Sequence, residues 1–120
     1  MAAEKNCVFC KIVRGEIPSR KVYEDEEILA FDDINPVAPV HFMLIPKEHV
    51  ASLAHVEDRH QRVLGKMLLL AHRLASEQGS RDGFRAVVNT GRVGRQDVSH
   101  VHMHVLGGRD PLPGMIQKSK

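Results

Sequence analysis

Only one long stretch of this chain, from about Asp58 to Gln78, repeats apolar residues at helical spacing, and a single long helix limits what the remaining residues can form. Val63, Leu64, Met67, Leu68, Ala71, Leu74 and Ala75 fall on one face, and Gly79 stands where the helix should stop. The other ordered segments are short. Lys21–Glu24 and Glu27–Phe31, separated by acidic residues, read as two strands joined by a tight turn. His41–Pro46 reads as a buried strand ended by proline, Gly83–Asn89 as a fourth strand and Val98–Leu106 as the last. Lys11–Arg14 can add one or two helical turns before Gly15-Glu16-Ile17-Pro18 closes them. Strands in short-turn succession, interrupted by one long helix, predict an α+β fold: an antiparallel sheet of about five strands with helices packed on one face.

Composition narrows the class of function. With 120 residues, 42% hydrophobic and 27% charged, the chain is expected to form one domain with an ordinary core and no interdomain linker. Its formal charge is only +2 and its basic residues are scattered, which favours a small anionic ligand over nucleic acid. Apolar runs such as Met67–Ala71 fall far short of the roughly 20 residues a membrane-spanning helix needs. The start, Met1-Ala2-Ala3-Glu4-Lys5-Asn6, lacks a basic and apolar leader, so a cytoplasmic location is expected, without membrane partners. In a reducing compartment the Cys7-x-x-Cys10 pair suggests metal binding or redox chemistry more than a structural disulfide.

His100-Val101-His102-Met103-His104-Val105 alternates polar and apolar residues. On a strand the three imidazoles share one side, roughly 7 Å apart, while the apolar residues bury the other. Such a row can grip the oxygens of a phosphate chain. Neutral imidazole is also a competent nucleophile toward phosphorus, which makes the central His102 the candidate for attack and its neighbours candidates for charge stabilisation or proton donation. A histidine-rich exposed face, or a metal-binding strand without chemistry, are the other readings of the same pattern.

The run His100–Leu106 resembles the histidine triad motif. Phe9, Lys11-Ile12, Gly15-Glu16-Ile17-Pro18, Ala30-Phe31, Asp33-Ile34-x-Pro36, Ala38-Pro39, Ile45-Pro46-Lys47 and Val88-Asn89 extend the likeness to the Hint branch, the histidine triad nucleotide-binding proteins, from about Cys7 to Arg109. Gly107-Gly108-Arg109 favours that branch over the dinucleotide hydrolases of the superfamily. The resemblance implies a histidine triad domain over residues 1–109 with a tail from 110 to 120. It also implies a homodimer, and hydrolysis of nucleoside phosphoramidates or aminoacyl-adenylates, with a purine nucleotide as substrate, through a nucleotidyl-histidine intermediate. His102 matches the nucleophile, His104 the residue assisting the leaving group, and His100 the first triad position. Asn89 and Gln96 match phosphate-region contacts, Asp33 the carboxylate holding the ribose hydroxyls, and Phe9, Ile12 and Phe31 the apolar walls around the base. Those apolar residues could equally be core, and Asp33 could cap a turn before Pro36.

The same resemblance implies structural zinc held by Cys7, Cys10, His49 and His100, as in superfamily members of bacterial type that carry the Cys-x-x-Cys. A redox pair or two buried thiols are the alternatives. No organic cofactor is implied. His41, His55, His60 and His72 match no role, and His60 and His72 are expected on a solvated helix face. The chain departs from the pattern at Gly94-Arg95-Gln96-Asp97, where Gly-Gly-Gln-Ser is common, and at Ser99, where an aromatic is common. Asp97 would repel a phosphate if it pointed inward. A binding module without turnover, or a dinucleoside polyphosphate hydrolase, therefore stand as alternatives to the phosphoramidase.

Overall fold

The structure, a computed structural model, describes residues 6–115. Helix α1 (Val8–Val13) is followed by strands β1 (Lys21–Glu24), β2 (Ile28–Asp32) and β3 (Val40–Pro46). Helix α2 (Gln61–Glu77) then leads to β4 (Arg85–Val87) and β5 (Met103–Gly107). The expected α+β architecture holds: all pairings are antiparallel in one five-stranded sheet of order β1-β2-β3-β5-β4. Asp25 makes the first hairpin, its Oδ1 accepting from the N–H groups of Glu27 and Ile28 at 2.8 Å each. β4, reached after α2, takes the edge, and β5 inserts between it and β3.

Helices cover both faces of the sheet rather than one. The central strands are apolar on both sides, and successive side chains point to opposite faces, so each side needs its own cover. Ile28, Ala30, Phe42, Leu44, Met103 and Val105 pack under Met67, Leu70, Ala71, Leu74 and Ala75 of α2. On the reverse face Leu29, Phe31, Met43 and Ile45 pack with Phe9 and Ile12 of α1. At roughly 1.5–3 kcal/mol per large apolar side chain buried, both layers are needed to offset the entropy of ordering the strands.

Several element boundaries differ from the sequence reading. The buried stripe of α2 runs through Leu70, 8% exposed, and leaves Leu68 at 62%. A 3₁₀ turn, Asp58–His60, precedes the helix, and there His60 is 4% exposed, its Nδ1 accepting from the Glu57 N–H at 2.8 Å and its Nε2 facing Glu48 at 3.4 Å. It is a core-facing histidine, whereas His72 is exposed as expected. The last strand begins only at Met103, because the segment before it bends away to reach α1. Among the described residues no helix is long and apolar enough to cross a membrane.

Candidate functional site

The bend ahead of β5 divides the three triad histidines between two environments. His100 is fully buried at the start of α1, where Cys7 is the N-cap residue, its Sγ accepting from the Cys10 N–H at 3.2 Å. His100 Nδ1 lies 3.3 Å from Cys7 Sγ and 3.5 Å from Cys10 Sγ, and His49 Nδ1 lies 3.3 Å from Cys10 Sγ. Those four side chains bring their ligand atoms within 4.8 Å of one another.

This donor set fits zinc. Two thiolates and two imidazoles suit a tetrahedral site, whose S···N edges should be about 3.5 Å from the usual Zn–S and Zn–N lengths. Nε2 of His100 is 2.8 Å from the Pro46 carbonyl, which can only accept, so the ring hydrogen is on Nε2 and the Nδ1 lone pair faces the sulfurs. Burial pushes the His100 imidazole down to about 4, outweighing the Pro46 hydrogen bond, so the ring is neutral, as a ligand must be.

His102 lies the other side of Phe9, whose ring meets it edge-on at 5.1 Å. Its Nδ1 is 2.8 Å from the backbone carbonyl of His100. That carbonyl makes Nδ1 the protonated nitrogen and leaves a lone pair on Nε2. His104, on β5 opposite Met43, stands with its ring centroid 5.1 Å from that of His102. The spacing is tighter than a strand repeat because His102 precedes the regular strand.

A fourth histidine, which the motif does not contain, completes the group. His41 on β3 accepts the Val37 N–H at Nδ1 (3.1 Å) and places Nε2 2.9 Å from His104 Nδ1. With Nδ1 accepting, neutral His41 carries its hydrogen on Nε2 and donates it to His104, which must then hold its own hydrogen on Nε2. Burial keeps both imidazoles below the ordinary histidine range, against the opposing pull of Asp33. Asp33 Oδ2 lies 3.4 Å from His41 Nε2 and 3.9 Å from His104 Nδ1, while Oδ1 caps the Asn35 N–H at 2.8 Å. Asp33, His41 and His104 are close enough to hold a metal, but a cation on His41 Nε2 would force the Nδ1 hydrogen against the Val37 N–H.

His102 and His104 open on a cavity of about 370 Å³ with Phe9, Ile12, Ile17, Phe31, Met43 and Asp33 in its wall. Phe9, Ile12 and Phe31 are thus both core and wall. Asn89 and Gln96 do not line it. Asn89 is half-buried just beyond β4. The Gln96 amide ties down the loop, accepting from the Gly91 N–H and donating to the carbonyls of Ala51 and Val98. Gly94 is required there, since a Cβ would come within 2.6 Å of the Thr90 carbonyl oxygen, and Arg95 takes the left-handed φ of 59° that a glycine would adopt freely. Asp97 does point toward the histidines, its Oδ1 3.4 Å from His102 Nε2. Ile17, Met43 and His41 escaped the sequence reading. For His41 the available signal was its place two residues from Met43 on a strand, a polar residue at an inward position.

The family profile described as scavenger mRNA decapping enzyme C-term binding matches residues 6–120. Protein HitA of Neisseria gonorrhoeae is 52% identical over 102 residues, 85% of this chain and 95% of that protein. A 14 kDa zinc-binding protein of Zea mays is 50% identical over 104 residues, 85% and 81% of the two chains. Among solved structures, a HIT family hydrolase from Legionella pneumophila Philadelphia 1 superposes with a TM-score of 0.83 at 48% identity, covering 88% of this chain and 95% of that one. A histidine triad protein from Clostridium difficile gives 0.87 at 43%, covering 94% and 98%. Profile match, sequence identity and superposition agree, and the chain belongs to the histidine triad (HIT) superfamily.

Proposed function

We propose that this protein hydrolyses nucleoside 5′-phosphoramidates or aminoacyl-adenylates at the α-phosphate, with a nucleotidyl group carried transiently on His102. The observation that supports this most is the His102 Nδ1 contact with the His100 carbonyl, since it leaves Nε2 as a lone-pair donor at the edge of the cavity. Relatives named as HIT family hydrolases agree with hydrolysis as the reaction class.

The purine base would lie among Phe9, Ile12 and Phe31, and Asp33, through Oδ2, would accept from the ribose hydroxyls. Nε2 of His102 forms a bond to the α-phosphorus as the bond to the leaving nitrogen, or to the carboxylate oxygen of an adenylate, breaks. The departing nitrogen takes the hydrogen on His104 Nε2, and the His41 Nε2–H donated to His104 Nδ1 stabilises the ring that gives it up. Water then returns a proton to His104 Nε2 as its oxygen attacks phosphorus, the P–Nε2 bond breaks, and a nucleoside monophosphate is released. In this scheme Gln96 acts by holding its loop beside the phosphate, Asn89 would contact the phosphate region, and His100 holds His102 through its carbonyl.

Cys7, Cys10, His49 and His100 would hold zinc, a reading that the name of the maize relative supports. The ion would supply structural anchorage, joining α1 to the segment that carries His102. We also propose a homodimer: β4 leaves an unpaired sheet edge, and Leu68, Leu69 and Phe84 are exposed. Cys7 and Cys10, whose sulfurs face imidazoles and form no disulfide, fit a cytoplasmic setting. Residues 1–109 are taken as the domain and 110–120 as a tail, which touches it where Arg85 donates to the Pro113 carbonyl at 2.8 Å.

Intact-protein mass spectrometry after acid quench with an adenosine phosphoramidate tests the activity. A nucleotidyl adduct is expected on wild type and none on His102→Ala. Intact substrate with no adduct on wild type would make the protein a nucleotide-binding module instead.

A further inference from the structure

Asp97 lies in the wall of two neighbouring cavities. One is the catalytic cavity of about 370 Å³; the other, of about 390 Å³, is lined by Asn6, Cys7, Val8, His49, Asp97, Val98 and Ser99. Val8, Asp97 and Val98 belong to both, so the two spaces meet at this carboxylate. Phe9, Ile12 and Phe31 line the first cavity and not the second. A nucleoside seated there leaves the second cavity for whatever is attached to the α-phosphate.

The chemistry of that second space is specific. Among the described residues its one carboxylate is Asp97, its other polar side chains are Asn6 and Ser99, and Cys7 and His49 face the sulfur–imidazole cluster. Among the described residues it holds no lysine or arginine. Asp97 is 77% exposed, and its Oδ1 lies 3.4 Å from His102 Nε2. A second phosphate would bring negative charge to an acidic wall that presents no lysine or arginine among the described residues. An ammonium group would find a partner.

We infer that the Asn6–Ser99 cavity is a leaving-group site in which Asp97 selects amines bearing a positive charge over neutral or anionic ones. The inference rests on the phosphoramidase reading and gives its substrates a chemical class. It also argues against dinucleoside polyphosphates, whose leaving group is itself a nucleotide anion.

Two unit charges about 6 Å apart in water-like surroundings give attraction for one substrate and repulsion for its opposite that together amount to about tenfold in affinity. The test uses adenosine 5′-phosphoramidates of three amines of similar length, ending in an ammonium, a methyl or a carboxylate group. Affinities are measured by calorimetry on His102→Asn, which keeps the site filled and prevents turnover. The ammonium compound should bind about tenfold more tightly than the carboxylate compound, and salt should narrow the gap. Adding Asp97→Asn should bring the three within about twofold of one another, while Asp97→Glu should restore the order. Equal affinities with Asp97 present, or a preference that survives Asp97→Asn, overturn the inference. Turnover of the same compounds by wild type separately decides the activity, so absent turnover with a charge-dependent affinity would remove the reaction and keep the site.

Discussion

His41 Nε2 lies 2.9 Å from His104 Nδ1, and the Val37 N–H on the opposite side of the His41 ring fixes the direction of that hydrogen bond. His41 therefore decides which nitrogen of His104 presents a hydrogen to the cavity. His41→Asn should lower kcat on an alkylamine phosphoramidate by about 10- to 100-fold, the range for a residue that orients a functional histidine, with KM little changed. With a leaving group that needs no proton, such as a nitrophenolate, the loss should shrink to a few-fold. An equal loss on both substrates would mean that His41 only supports the fold.

The two imidazoles also predict a pH dependence. Burial holds His41 and His104 below their ordinary value, so the unfolded chain takes up protons before the folded one as pH falls through about 6.5. Stability contributed by their neutral forms is complete above that value and declines below it, levelling off once the folded imidazoles have protonated. Urea midpoints at pH 7.5 and 5.0 should therefore fall with acidity, and His41→Asn should flatten the slope. An unchanged slope in that variant would show that the acid sensitivity arises elsewhere.

The cysteine cluster predicts a metal dependence. Zinc content should be about one per chain in wild type and near zero in Cys10→Ser, because tetrahedral sites of this kind need all four ligands. Cys10 is fully buried, and loss of the ion should lower the thermal midpoint by several degrees or more. Metal analysis alongside a melting curve settles it; a metal-free wild type with the same midpoint as Cys10→Ser would leave the cluster as a hydrogen-bonded thiol pair.

How far these features were legible in the sequence depends on the range of the interactions involved. The periodicity of Val63–Ala75 and the alternation around Met103 report local geometry, and both elements formed. Phe9 and Ile12 could not be assigned to a face in advance, because their partners Leu29, Phe31, Met43 and Ile45 come from two strands whose register is set by pairing. The triad histidines were visible as a motif, yet the turn of His100 toward Cys7 and Cys10 required the bend before β5. His41 was missed because its meaning arises only from β3–β5 pairing, 63 residues away in sequence from His104. Gln96 stands in the expected loop, but competition from three backbone partners directs its amide inward.

Gly107 makes the last prediction, and it links the end of β5 to the chain that leaves α2. Ser80 Oγ donates to the Gly83 carbonyl at 2.7 Å and accepts from the Gly108 N–H at 3.0 Å, with its side chain set against the face of Gly107. A Cβ on residue 107 would lie 2.7 Å from Ser80 Cβ and closer still to Oγ, so alanine must displace the serine and break both hydrogen bonds. Ser80 is almost wholly buried, leaving those partners without water to replace it. Overpacking together with unsatisfied buried groups should cost about 2–4 kcal/mol, read as a lower urea midpoint for Gly107→Ala. Ser80→Gly in the same chain removes the collision and not the lost hydrogen bonds, so it should recover only part of the difference. A Gly107→Ala protein as stable as wild type would show that the α2–β5 junction tolerates a side chain at this position, and that a close approach is not the reason for its glycine.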